Sequence, residues 1–233
     1  MITLTDTTTT ITMTEALYRL MTWLSPSYPT GAYSFSHGIE YAVETGVIHD
    51  RATLAAWIAH VIAHGSGWTD AVLFARAYEA DDAALDEIAD YAAALRGSAE
   101  LALEATHQGA AFLSTTRAAW PDARLETFAA RRGERPVMLP IALALACRER
   151  IAPEPALAAL LQAFAANLVS AGVRLIPLGQ TDGQHAIAAL MPTILAVAPR
   201  ALQTPLDELG TAAPAVDIAS MRHETQHTRL FRS

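Results

Sequence analysis

The sequence predicts an all-α protein: a single-domain bundle of roughly eight to ten helices, with a flexible N-terminal leader and a C-terminal tail. Three observations carry this. Beyond residue 13, apolar residues recur with a period close to 3.6 nearly everywhere. Strand signals are almost absent, because no window shows sustained β-branched alternation and alanine is abundant throughout. The breaks are short and rich in Pro and Gly: "SPSYPTG", "HGSGW", "RGS", "AAWPDA", "RRGERP", "IAPEP", "IPLGQTDG" and "TPLDELGTAAP".

Residues 1–13 are Thr-rich and poor in large apolar groups, which reads as a flexible leader. The bundle is expected over 14–202. In "SPSYPTGAYSFSHGIE" (25–40), two prolines and a glycine fix a rigid turn that leads into a helix near His37. Leu54, Trp57, Ile58, Val61 and Ile62 form a helical stripe, opened by Asp50 as N-cap. "VMLPIALALAC" (137–147) has the length of a buried core helix. Leu157, Leu160, Leu161, Phe164 and Leu168 form a second stripe. Ile187, Leu190, Met191, Ile194 and Leu195 form a third, which Pro192 is expected to kink or break. Thr181-x-x-Gln184 has the form of a capping box before it. Residues 203–233 read as a connector, a short helix and the tail, and no shift in composition marks a second domain.

Composition narrows the function. Mean hydropathy is +0.22 and 52% of residues are hydrophobic, yet the most apolar stretches fall short of the roughly 20 residues that cross a bilayer. The excess therefore belongs in a core or in protein interfaces, the first hint of an obligate partner. The N-terminus lacks the cationic start and apolar run of a signal peptide. Cys147 is the only cysteine, so no internal disulfide forms and a cytoplasmic location is the default. Net charge is −8, opposite to a nucleic-acid binder. All 16 basic residues are arginine. A chain without lysine has neither a Walker A lysine nor a Schiff-base lysine.

Four sets of residues could carry chemistry. His223-Glu224-Thr225-Gln226-His227 fits the H-E-x-x-H pattern, in which two histidines on one helix face bind zinc and the glutamate acts as general base. A zinc metalloprotease is the competing reading on this ground. Only six residues follow His227 and none is a ligand, so the third ligand would have to come from upstream, for example Asp217. His60 and His64 make another i, i+4 pair, off the apolar stripe and readable as surface histidines. Cys147 lies in an apolar run and reads as a buried inert thiol. Finally, "VRLIPLGQTDGQH" (173–185) ends a long apolar helix on Arg174 and gathers Gln180, Asp182 and Gln184 in one turn. Arg174 could equally complement a helix C-terminus.

The stretches "SPSYPTGAYSFSHGIE", "NLVSAGVRLIPLGQTDGQ" and "DIASMRHETQHTRLFRS", with the weaker "EATHQGAAFL" (104–113), resemble the UreF-type urease accessory proteins in order and approximate spacing, over about 14–233. Two departures stand out. Leu139-Pro140 occupies the place of a family glycine in a "PV-x-x-G" pattern, and His227 stands where a tyrosine is common.

The resemblance implies an all-α protein that is not an enzyme. It implies a homodimer that binds a UreD/UreH-type accessory protein and then recruits a UreG-type GTPase. That assembly would activate apo-urease as a GTP-dependent, nickel-installing chaperone, with no cofactor of its own and with nickel handled by the complex. Carried over residue by residue, Met221, His223, Glu224, Arg229, Leu230 and Phe231 would contact the UreD/UreH-type partner, and the turn bearing Pro29, Gly31 and Tyr33 would face a partner too. Arg174, Gln180, Asp182 and Gln184 would lie at the dimer centre or face the GTPase, with Arg174 a candidate arginine finger. Ala158 and Gln162 would lie near the dimer interface.

Overall fold

The computed structural model describes the backbone from Asp6 to Ser233 and side chains from Thr14 onward. Of the leader expected over 1–13, residues 1–5 and the side chains through residue 13 lie outside the described residues. Among the described residues there are eleven α-helices, two short 3-10 turns and no strand.

α1 (Asp6–Trp23) runs into a loop and a 3-10 turn (Ala32–Ser34). α2 (Ile39–Glu44), α3 (Arg51–His64) and α4 (Ser66–Glu79) follow, then α5 (Asp82–Ala94), α6 (Ala99–Ala119) and α7 (Ala123–Arg132). α8 (Leu139–Cys147) leads to the two long helices, α9 (Pro153–Leu175) and α10 (Gln180–Gln203). A second 3-10 turn (Leu206–Glu208) precedes α11 (Pro214–His223).

Side-chain N-caps start four of these helices. The Asp50 carboxylate accepts from the Thr53 amide at 2.8 Å, as expected from the sequence. Asp81, Ser98 and Asp122 do the same for α5, α6 and α7. Proline stands at an N-terminal position of α8, α9 and α11, where its missing N–H is tolerated.

α8 is the centre of the bundle. Every residue from Pro140 to Cys147 is buried, and α4, α6, α7 and α9 pack around it. Burial pushes the Cys147 thiol up to about 12, which leaves it protonated and inert. The helix can lie this close because Gly109 of α6 faces the strand-like entry to α8. A Cβ at Gly109 would stand 1.9 Å from the Val137 carbonyl oxygen. The Val137–Leu139 segment therefore contacts the backbone of α6 at Gly109. We expect Gly109→Ala to lower unfolding stability by about 1–3 kcal/mol through overpacking, measured by urea denaturation. Helix propensity alone would move stability the other way, by about 1 kcal/mol, so a gain would refute the close approach.

α9 and α10 form a long pair, and α3 packs across both. The first two apolar stripes are core: Leu54, Ile58, Val61, Ile62, Leu157, Leu160, Leu161 and Leu168 are buried, with Trp57 and Phe164 packed partly behind them. By length and composition alone, α9 and α10 are apolar enough to cross a membrane. They are longer than the apolar stretches in the sequence suggested, and each buries one face in this core.

The third stripe needs correction. Leu190 and Ile194 are buried, but Met191 and Leu195 are exposed. α10 continues through both Pro192 and Pro199. Pro192 lies on the solvent side, and so does Ala188, whose carbonyl loses its helical partner and can bond water instead. The start of α10 also differs from the expected Thr181/Gln184 box. The helix begins at Gln180, and the Asp182 carboxylate reaches back to accept from the Gly179 amide at 3.2 Å.

Candidate functional site

The tail, the 25–40 loop and the "EATHQG" segment, far apart in sequence, meet in one place. α11 delivers His223 to the interior, where it is wholly buried. Its Nδ1 lies 2.7 Å from Glu100 Oε2, and its Nε2 lies 3.1 Å from Glu40 Oε2. Both glutamates occupy the first turns of their helices, α6 and α2, where a negative charge complements the helix dipole.

Each carboxylate binds more of the tail. Glu40 accepts the backbone N–H of Leu230 at 2.6 Å and of Phe231 at 2.9 Å. Glu100 accepts Arg229 Nη1 at 3.0 Å. One turn along α6, Glu104 accepts Ser233 Oγ at 3.2 Å and Gln108 Nε2 at 3.1 Å, and it faces His37 Nδ1 at 3.0 Å. The other nitrogen of His37 meets Ser66 Oγ at 2.5 Å.

The backbone is shaped to permit this. His37 has φ +58° and Gly38 has φ +78°. Two successive left-handed residues turn the chain sharply into α2. A side chain at Gly38 would meet the Ser220 amide of α11 at 3.0 Å. The left-handed conformation is unfavourable for His37, and bonds to both of its ring nitrogens offset that cost.

The tip of the tail lies along the loop. Arg232 N–H donates to the Ser34 carbonyl at 2.9 Å, and Ser36 N–H donates to the Ser233 carbonyl at 2.6 Å. Phe231 is buried beneath Arg174, whose guanidinium carbon stands 4.2 Å from the ring centroid. Arg174 Nη2 also donates to the Tyr33 carbonyl at 2.8 Å. Burial lowers the affinity of Arg174 for its proton, though an arginine stays charged. Glu224 accepts the Ala99 amide at 3.0 Å and so helps cap α6, while Ser220 Oγ pairs with Ser98 Oγ at 2.7 Å.

These positions redistribute the expected contacts. His223 and Phe231 face inward, held by the chain's own carboxylates and Arg174, so in this conformation neither is available to a partner. Arg229 and Glu224 are engaged at the rim. Met221 (48% exposed), Leu230 (64%) and Ile218 (54%) point outward. In the turn, Tyr33 (70%) is also open and Pro29 is exposed, while Gly31 precedes the first 3-10 turn. Arg174 belongs with this tail cluster. Among the described residues no hydrogen bond or ion pair links it to Gln180, Asp182 and Gln184 at the start of α10, where Gln180 and Gln184 are exposed and the half-buried Asp182 stands 3.4 Å from Arg51. On α9, Gln162 is exposed and Ala158 is partly buried. Gln162 borders a cavity of about 260 Å³ that runs under the 3-10 turn between α9, α6 and α8.

The zinc geometry does not form. α11 ends at His223, and His227 sits beyond it in an exposed bend, so the two histidines do not share a helix face. Both nitrogens of His223 face carboxylates, and Glu224 caps α6. Among the described residues no group of three or more His, Cys, Asp or Glu side chains is placed to hold a metal. Sequence reasoning missed Glu100, Glu40 and Glu104 as anchors. Glu100 and Glu104 at i, i+4 in the otherwise apolar start of α6, residues 99–105, were the one local signal.

A family model described as UreF matches residues 48–191. The chain is 52% identical over 223 residues to a urease accessory protein UreF of Granulibacter bethesdensis, with 94% of each chain covered. It is 49% identical over 223 residues to a UreF of Rhodopseudomonas palustris (strain TIE-1), covering 94% of this chain and 92% of the relative. It is 47% identical over 223 residues to one from Bradyrhizobium diazoefficiens, with the same shares covered.

Proposed function

The chain belongs to the UreF family of urease accessory proteins, which are not enzymes, and from that premise we propose that its folded-back tail is a docking platform for a UreD/UreH-type accessory protein. One observation carries this reading: the tail divides its residues. His223, Phe231 and Ser233 anchor it inside, while Met221, Leu230 and Ile218 stand in solvent on the outer side of the same short segment. Exposed large apolar side chains beside a rim of Arg222, Arg229 and Arg232 suit a protein interface with apolar anchors and bidentate donors.

The wider role follows the family. The protein works as a homodimer, with Ala158 and Gln162 near the dimer contact, in the cytoplasm and without nucleic acid or membrane. With its UreD/UreH-type partner it recruits a UreG-type GTPase, engaged through the exposed start of α10 at Gln180, Asp182 and Gln184. The assembled complex delivers nickel to apo-urease as cargo. Arg174 acts as a brace between α9 and the tail in this scheme. A role as arginine finger would require it to leave Phe231 and Tyr33.

The test is co-purification of the tagged chain with a UreD/UreH-type protein from a urease operon. Met221→Asp/Leu230→Asp is expected to abolish co-purification while leaving the melting temperature of the free protein unchanged, because both side chains are exposed. Wild-type recovery of the partner by this variant would remove the tail from the interface.

A further inference from the structure

Among the histidines outside the tail cluster, two stand together. His60 and His64 lie four residues apart at the C-terminal end of α3, on its exposed side, with only the small Ala56 one turn before them. Their rings stand side by side, with centroids 5.1 Å apart and planes inclined at 43°. Among the described residues no hydrogen bond or ion pair engages either ring. Each neutral imidazole therefore has an open lone pair. The helix beneath them is rigid: Leu54, Ile58, Val61 and Ile62 bury its opposite face, and Asp50 caps its start.

We propose that His60 and His64 form a two-imidazole surface site for a borderline divalent transition ion such as Ni²⁺, Cu²⁺ or Zn²⁺. Imidazole suits these ions, and residues at i and i+4 share a helix face. The spacing of the rings fits one shared ion. With a metal–nitrogen bond of about 2.1 Å and a ring nitrogen roughly 1.1 Å from its centroid, each centroid lies about 3.2 Å from the ion. Rings 5.1 Å apart then subtend about 105° at the metal, close to a tetrahedral angle. Two ligands leave the other positions to water or to a donor from another molecule. The site therefore exchanges its ion readily rather than sequestering it, unlike a closed structural site. No group of three or more ligands competes for the ion among the described residues. The inference rests on α3 alone and stands or falls independently of docking by the tail.

The experiment is titration of the full chain with Ni²⁺ by isothermal calorimetry. One saturable site per chain is expected, tighter for Cu²⁺ and weaker for Co²⁺ and Mn²⁺. His60→Ala and His64→Ala should each weaken Ni²⁺ binding by about tenfold or more, since even an outer-shell partner of a metal ligand is worth 10–100-fold. His227→Ala, which removes the exposed tail histidine, should leave it unchanged. The decisive variant is Ala56→His/His60→Ala. It keeps the number of histidines but sets the two rings eight residues, about 12 Å, apart along the helix, too far to share one ion, and it should bind as weakly as His60→Ala. All these positions are exposed or partly exposed, and circular dichroism checks that each variant folds. Absence of a saturable site in the wild type, or wild-type affinity in His64→Ala or in the register-shifted variant, overturns the proposal.

Discussion

Replacing His223 with alanine is expected to lower unfolding stability by about 3 kcal/mol, at the low end of the 3–5 kcal/mol lost when one partner of a buried pair is removed. The imidazole is fully buried, and the side chains of Glu40 and Glu100 are only 8% exposed. Without the ring, both carboxylates face an empty space in a water-poor setting. The loss stays at the lower end because each keeps other donors: Leu230 and Phe231 amides for Glu40, and Arg229 for Glu100. Urea unfolding by linear extrapolation measures it. His227→Ala supplies the contrast, with an expected change within about 0.5 kcal/mol for an exposed side chain. Glu100→Gln on the His223→Ala background should recover part of the loss, because the amide no longer buries a charge, and the double-mutant cycle should be non-additive. Equal costs for the two histidines, or an effect that appears only on adding a zinc chelator, would restore the metal reading.

The contrast between these two histidines shows what the sequence could and could not reveal. The pattern H-E-x-x-H is local, and a local pattern says which residues would share a helix face only if the helix continues. Here it stops at His223. The real partners of His223 lie 183 and 123 residues away, a separation that no periodicity encodes. Helices with one polar face were legible, since Leu54 through Ile62 and Leu157 through Leu168 alternate with solvated positions. α8 was legible only as a core helix, because a segment buried on all sides has no phase to place its neighbours. The start of α10 was misread because Thr181 and Gln184 imitate a capping box, whereas the true reach-back comes from Asp182. The tail stood out in the sequence as a whole segment, from Met221 to Phe231. Its division into inner anchors and outer contacts depends on tertiary pairing with Glu40, Glu100 and Arg174.

Phe231→Ala is expected to release the tip of the tail without unfolding the bundle. The ring is buried under Arg174 and lies next to the two amides that Glu40 receives. Truncating a buried Phe costs about 3–5 kcal/mol. That loss falls on local rather than global stability, because the last residues bind only the loop at 33–40, Arg174 and the first turns of α6. A local opening made easier by about 3 kcal/mol is populated about 100-fold more, at 1.4 kcal/mol per tenfold. Hydrogen exchange should then show the Leu230 and Phe231 amides losing protection by about that factor, while amides of α8 and α9 keep theirs. The same variant should weaken co-purification of the UreD/UreH-type partner even though Met221 and Leu230 are intact, since a loosened platform must be ordered again on binding. Unchanged protection at Leu230 and Phe231 would mean that Phe231 does not latch the tail. Loss of protection with undiminished partner binding would mean that the partner takes the released tail rather than the folded one. The internal position of His223 and Phe231 would then describe the free protein, and their side chains would become partner contacts on release.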